Sequence, residues 1–387
     1  MRILFNDQLF DSPADIISCH KLSEVRSAFE KMEEAIARGY YLAGFLSYEA
    51  GYAFEELFHH NKTYDFPLVC FGAFKKPTSS ADFQPAPFFI CDGEGKTKKG
   101  LSPLHLMERG GGSRRAPACR QAGVRIKRDY LTALRRIHRL IAAGETYQIN
   151  YTFKRKFDFS GDPFALYQRL KKRQATPYSA FIDSKGFSIL SLSPELFFKK
   201  QGDKITVKPM KGTIGIGKGN RNRLKADMKN RAENLMIVDL LRNDLGRIAR
   251  FGSVKTIKLF EVEKYKTLYQ MTSSIEAKIE PTIQLYKLFR NLYPSGSVTG
   301  APKIRAMQII RELEKEERKI YCGSIGVITP ARNMVFNVAI RTILLTPHPL
   351  PLTLYSGELG LGSGIVFDSD PAKEYEECLL KGEFLVG

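Results

Sequence analysis

Glu374, Glu377 and Lys381 stand at i, i+3 and i+7 in a segment that reads as a helix, which places them on one face. Glu233 lies in a second helical segment, followed by Asp239, Arg242, Asn243 and Asp244 among Leu235, Val238, Leu241 and Leu245. Two carboxylates from two helices suit a hard Mg²⁺ ion, because they leave room for waters and an anionic substrate. A surface ion pair between Glu377 and Lys381, four residues apart, is the competing reading, and spacing alone leaves both open. Arg341 follows Phe336, Val338 and Ile340, whose alternation puts Arg341 on the other strand face with Asn337 and Ala339. An arginine on so apolar a strand either pairs with a carboxylate of the fold or waits for an anionic ligand.

Two glycine runs invite a phosphate-binding reading and do not sustain it. Gly212-Thr-Ile-Gly-Ile-Gly217-Lys218-Gly219 nearly spells a phosphate-cradling loop, but the last position needs a Ser or Thr hydroxyl and holds Gly219. Gly360-Leu-Gly362-Ser-Gly364 is too short for a dinucleotide fingerprint. It can still offer backbone that approaches an anion closely.

The elements that must position these residues follow from periodicity. Tyr40 to Tyr48 reads as a buried, aromatic-rich strand. Tyr130, Leu134, Ile137 and Ile141 recur at helical spacing and Gly144 stops them. Tyr147, Ile149, Tyr151 and Phe153 alternate with polar residues in a half-buried strand. A hairpin turns at Gln201-Gly202-Asp203, and helices are expected from Arg231 to Arg247, from Pro302 to about Glu316, and after Pro371. A strand is expected from Met334 to Thr346. Runs of strands broken by a few long helices indicate an α+β fold with largely antiparallel sheets. Residues 1–120 read as an amino-terminal α+β unit with a basic, Gly/Arg-rich linker at about 92–128, and residues 126–387 as the catalytic domain.

Composition bounds the function. In 387 residues, 43% hydrophobic and 26% charged content describe a globular chain. No apolar run is long enough to span a bilayer and the amino terminus lacks a secretory-type segment, so the expected location is cytoplasmic, with no membrane partner. The six cysteines form no C-x-x-C pair, which argues against a disulfide framework or zinc site. A net charge of +19 raises nucleic-acid binding, but no helix-turn-helix, zinc-finger or stacking signature accompanies it, and no nucleic-acid partner is expected.

Read together, the segments resemble the chorismate-binding enzymes, most closely the branch that acts as component I of aminodeoxychorismate synthase. The resemblance rests on Tyr147-Gln148-Ile149-Asn150, Ser193-Pro194-Glu195-Leu196-Phe197, Pro209-Met210-Lys211-Gly212-Thr213 and Arg231-Ala-Glu-Asn through Asp244. It continues through Gln270-Met271-Thr272-Ser273, Gly296-Ser-Val-Thr-Gly-Ala-Pro-Lys303, Asn337-Val-Ala-Ile-Arg341, Gly362 to Ser369 and Glu374-Tyr-Glu-Glu-Cys378.

The resemblance implies an anthranilate synthase component I-like fold, with antiparallel sheets packed as a sandwich and flanked by helices. It implies Mg²⁺ on Glu233 and Glu377 with Glu374 behind them, the metal holding the ring carboxylate of chorismate and Lys381 touching the same group. Arg341 and the backbone at Gly362 and Gly364 would take the enolpyruvyl carboxylate, with Thr299 and Gly300 lining the ring. Relatives that add water carry a lysine where this chain has Gln148. Anthranilate synthases carry alanine at Lys211 and usually histidine at Asn234. Lys211 is then the nucleophile of C4 amination, and as an attacking amine it needs a lowered pKa. Ammonia is expected from a separate glutamine amidotransferase subunit, for 4-aminobenzoate and folate synthesis. Anthranilate synthase component I is the alternative. Three departures from the family pattern are Asn230 where an acid is usual, Val327 where an aromatic residue is common in a pocket wall, and Ile214-Gly215-Ile216-Gly217 after Thr213.

Overall fold

The computed structural model describes residues 1–79, 90–91, 97–98, 105–108, 117–264, 268–349 and 354–385. Their architecture is two ten-stranded antiparallel sheets and a separate two-stranded pair, Ile90–Cys91 with Thr97–Lys98. The first runs, neighbour to neighbour, through Gly300–Ala301, Gln148–Ser160, Leu354–Ile365, Thr342–Pro347, Phe187–Ser193, Tyr178–Ser184, Arg2–Phe5, Gln8–Phe10 and Thr78–Ser79, with His105–Glu108 on Gln148–Ser160. The second runs through Met210–Gly215, Leu268–Lys278, Lys204–Lys208, Leu196–Gln201, Met334–Asn337, Ser324–Ile328, Tyr41–Leu46, Val69–Phe74 and Asp15–Cys19, with Lys255–Lys264 on Leu268–Lys278. Both sheets therefore draw strands from either side of residue 120.

Strand alternation makes the sandwich. Ile3 and Phe5 of the first sheet meet Ala43 and Phe45 of the second in one buried core, while Leu4, Leu42 and Leu46 turn to the opposite faces. Helices cover those outer faces. Among the described residues they are α1 (Val25–Ala37), α2 (Pro117–Ala142), α3 (Pro163–Arg173), α4 (Asn220–Ala226), α5 (Met228–Gly246), α6 (Leu285–Leu292), α7 (Lys303–Leu313) and α8 (Pro371–Lys381). Phe29 of α1 packs against Phe289 of α6 at 5.4 Å between ring centroids. Tyr130 of α2 packs on Tyr151 and Tyr375 and its hydroxyl meets Ser363 Oγ at 2.8 Å, which ties α2 and α8 to the first sheet. None of the helices among the described residues is long and apolar enough to cross a membrane.

The α+β class, the sandwich and the hairpin at Gly202 stand as expected. Three elements differ. The strand expected from Met334 to Thr346 is two strands, Met334–Asn337 and Thr342–Pro347, which belong to different sheets. The chain crosses between them at Val338–Arg341, and Arg341 takes a left-handed φ of 51°. The helix α7 starts after Pro302, which caps it with extended backbone, and it ends at Leu313. The expected linker is shorter than 92–128, because α2 begins at Pro117: the amphipathic run around Tyr130 propagates upstream, and Ile126 still packs on the core. The basic run from Arg109 to Arg115 lies outside the described residues.

Candidate active site

A cavity of about 710 Å³ opens where the first sheet, the second sheet, α5 and α8 converge. The strand Leu354–Ile365 supplies one wall, with Gly362 and Gly364 paired to Thr152 and Asn150. A Cβ on Gly364 would stand 2.4 Å from Gln148 Nε2 and 3.2 Å from Lys211 Nζ, so only glycine leaves these two groups their shared space. Lys211 comes from the opposite wall, on Met210–Gly215, where the pairing with Leu268–Lys278 shifts register between Lys211 and Thr213. Such a bulge re-aims a side chain.

Two helices bring the acids. Asp227 caps α5 by accepting the Asn230 N–H at 2.8 Å, and Glu233 lies one turn further in. Asp370 caps α8 in the same way through Lys373, which fixes Glu374 and Glu377 against the cavity. Glu374 is buried and accepts the Ser369 hydroxyl at 2.8 Å, with Lys229 Nζ 3.9 Å away. Lys381 Nζ lies 2.8 Å from Glu377 and donates to the Gly362 carbonyl at 3.1 Å. The i, i+4 ion pair of the competing reading exists, and both of its residues line the cavity. Arg341 also lines it, with Nη1 on Gln174 Oε1 at 3.3 Å.

Charge is concentrated here. Burial raises the Glu233 carboxyl; Lys211 and Lys229 draw it down, and Glu374 and Glu377 push it up again, for a net rise. Burial also pushes Glu377 up, but Lys381, Lys211 and Lys229 outweigh it and hold that carboxyl below its usual value. Carboxylates that repel one another across a polar cavity are a donor set for a cation. Among the described residues no three His, Cys, Asp or Glu side chains form a ready cage. Glu233 and Glu377 offer two carboxylates on one cavity, and Mg²⁺ accepts one or two carboxylates when waters and substrate oxygens complete its shell.

The structure gathers Lys211, Glu233, Arg341, Gly362, Gly364, Glu374, Glu377 and Lys381 on the cavity surface. Gln148 is buried against Gly364, and its Oε1 has no hydrogen-bond partner. Thr299 and Gly300 stand one layer behind. The Thr299 hydroxyl is spent on the Ser295 carbonyl at 3.0 Å, and Gly300 pairs with Ile149. Their neighbours Ser297 and Val298 face the cavity instead. Asn234 is fully buried and accepts the Ser273 hydroxyl, which docks α5 on the second sheet. Asn230 lines the cavity, whereas Val327 packs in the core between the sheets.

Sequence reasoning assigned no role to Glu195, which the structure makes prominent. It is 5% exposed, lines the cavity, and its carboxyl is raised to about 7 by burial, with a Ser297 hydrogen bond and Lys211 opposing. The available signal was an acid held between Pro194 and the apolar start, Leu196 to Phe198, of the next strand.

Comparison with known proteins agrees with this geometry. Residues 6–387 match the family described as chorismate binding enzyme. Aminodeoxychorismate synthase component 1 of Salmonella typhimurium is 38% identical over 259 residues, 65% of this chain and 56% of that one. The Bacillus subtilis protein of the same name is 35% identical over 64% of this chain and 53% of its own. Anthranilate synthase component 1 of Cereibacter sphaeroides is 36% identical over 66% of this chain and 51% of its own. The chain thus matches about half the length of these relatives. Among solved structures, anthranilate synthase component I from Streptococcus pneumoniae superposes with a TM-score of 0.74 at 22% identity, covering 100% of this chain and 92% of the other, which establishes the fold. With the cavity, its acids and its basic clamp in place, this chain belongs to the chorismate binding enzyme family.

Proposed function

We propose that the chain aminates chorismate at C4, giving 4-amino-4-deoxychorismate, with Mg²⁺ as cofactor and ammonia from a glutamine amidotransferase subunit. The observation that carries this is the convergence of Lys211 with Glu233, Glu374 and Glu377 on one side and Arg341, Lys381 and the Gly362–Gly364 backbone on the other. A dianionic substrate needs a cation, fixed positive side chains and backbone N–H groups in a site screened from water. Glu233 and Glu377 would hold Mg²⁺, which supplies a hard positive charge for the ring carboxylate. Lys381 meets the same carboxylate, and Arg341 with the glycine backbone takes the enolpyruvyl carboxylate.

The chain's own groups then account for the chemistry. The Lys211 amine forms a bond to C2, the ring double bonds shift, and the C4–O bond breaks. Glu195 gives the departing hydroxyl its proton, so water leaves. Ammonia bonds to C4 and returns a proton to the Glu195 carboxylate, the double bonds shift back, and the C2–N bond breaks with its electron pair returning to Lys211. The unpartnered Oε1 of Gln148 offers an acceptor for N–H groups in this space, and an amide there cannot serve as the base that hydration needs. An alanine-sized residue at Lys211 would admit ammonia to C2 instead, the route to anthranilate that the Cereibacter relative's name describes.

Two measurements check these assignments. Chorismate titrated into the protein by calorimetry should bind at least about tenfold more tightly with Mg²⁺ than with EDTA, because the metal neutralises the repelling carboxylates. Equal affinity in both conditions would remove the metal from the ring carboxylate. The second concerns Glu195, whose carboxyl sits at about 7. As a proton donor it must be protonated, so kcat at constant free ammonia should fall as pH rises through that value. Glu195→Gln should lose that limb and about 10² to 10⁴ in kcat. Retention of the limb in the variant would give it to another group.

A further inference from the structure

Behind the cavity wall lies a buried ionic group that the chemistry above leaves unused. α7 stops at Leu313, and Glu314 leaves it in extended backbone. Four residues on, Arg318 is 3% exposed, and four hydrogen bonds hold its guanidinium. Nε donates to Glu314 Oε2 at 2.8 Å and Nη2 to Glu314 Oε1 at 2.7 Å. Nη1 donates to the Val298 carbonyl at 2.8 Å, and Nη2 also donates to the Asn150 carbonyl at 2.6 Å. The Tyr48 ring lies 4.2 Å from its Cζ, and Glu49 accepts the Arg318 backbone N–H at 2.7 Å.

Those two carbonyls belong to the two segments that form one cavity wall. Asn150 and Val298 both line it, and Ser297, beside Val298, hydrogen-bonds Glu195. Glu314 adds a second tie to the strand Gln148–Ser160 by accepting the Thr152 N–H at 2.7 Å. A buried ion pair contributes little net stability over an apolar filling, because desolvating both charges offsets their attraction. What a guanidinium supplies that a methionine or lysine cannot is a rigid planar fork, which fixes the separation of the groups it bridges.

We propose that Arg318, held by Glu314, is a positioning residue for the active site: it sets the turn at residues 297–300 against the strand Gln148–Ser160 so that Ser297 meets Glu195. The catalytic part of this inference rests on the chorismate-amination proposal; the structural part does not. The control is Arg332, a part-buried guanidinium that bridges Glu33 and the Ile283 carbonyl and does not line the cavity.

The test compares Arg318→Lys, Arg318→Met and Glu314→Gln with Arg332→Met, by hydrogen exchange, melting temperature, chorismate affinity and kcat. Arg318→Lys should speed amide exchange in peptides spanning 148–152 and 296–301 by about tenfold or more, with Arg332→Met leaving those peptides as in the parent. It should lower kcat by about thirtyfold or more while the Kd for chorismate changes less than about fivefold. Unchanged exchange and kcat in Arg318→Lys would overturn the proposal, as would losses that track melting temperature alike in the Arg318 and Arg332 variants. If Arg318→Met does not fold, the lysine and Glu314→Gln variants decide. If the parent protein does not turn over chorismate, the amination proposal fails while the exchange pattern still decides this one.

Discussion

Lys211→Ala is expected to abolish formation of 4-amino-4-deoxychorismate, with kcat falling by about 10⁴ or more while the Kd for chorismate stays within about fivefold of the parent value. The two halves of this result come from different residues. Substrate anions are assigned to Arg341, Lys381 and the glycine backbone, none of which the substitution touches. Bond formation at C2 is assigned to the Lys211 amine alone, whose Nζ occupies the space beside Gly364 and Gln148. Lys211→Arg separates charge from nucleophilicity, since a guanidinium keeps the positive charge and does not attack carbon. It should lose as much activity as alanine. Any residual product of Lys211→Ala should carry nitrogen at C2, because ammonia can then occupy the vacated space. Normal C4 product from Lys211→Ala, identified by mass spectrometry, would end the nucleophile assignment.

Glu233→Gln and Glu377→Gln should each lower kcat/KM by about a thousandfold, the several kcal/mol that a metal ion supplies to developing and bound negative charge. Glu374→Gln should cost less, about ten- to a hundredfold, because Glu374 is already engaged by Ser369 and Lys229 and stands one step back. Calorimetric titration with Mn²⁺ reads the same assignment without turnover, and binding should vanish in the first two variants. A stability effect of opposite sign accompanies the loss. The folded-state carboxyl of Glu233 is raised above its ordinary value, so keeping it ionised costs stability at neutral pH. Glu233→Gln should therefore melt higher than the metal-free parent at pH 7. That gain should disappear as pH falls below the ordinary carboxylate range, where the unfolded chain is protonated as well. Unchanged Mn²⁺ binding in both variants would remove these acids from the metal site.

Much of the site was legible because it is written in short segments. Glu374, Glu377 and Lys381 share a helical face by spacing alone, and the structure points that face into the cavity. The alternation of Tyr147 to Phe153 gave the strand that carries Gln148 and Asn150. What stayed hidden depends on distant pairing or on backbone that alternation cannot report. The apolar run from Met334 to Thr346 shows no break, yet its halves join different sheets, and the crossover holds Arg341 at a left-handed φ that residue type does not foretell. Glu195 reads as one more acid until burial, against a Ser297 hydrogen bond and Lys211, raises its carboxyl to about 7. Thr299 carries a hydroxyl that looks available in sequence, but its own turn consumes it and leaves Ser297 facing the cavity.

The central claim is the identity of the reaction, and product analysis tests it most directly. Purified protein would be incubated with chorismate, Mg²⁺ and ammonium, and the products separated and weighed by mass spectrometry. The predicted result is 4-amino-4-deoxychorismate, formed with Mg²⁺ and absent with EDTA. Anthranilate and pyruvate in its place, or chorismate recovered intact, would contradict it.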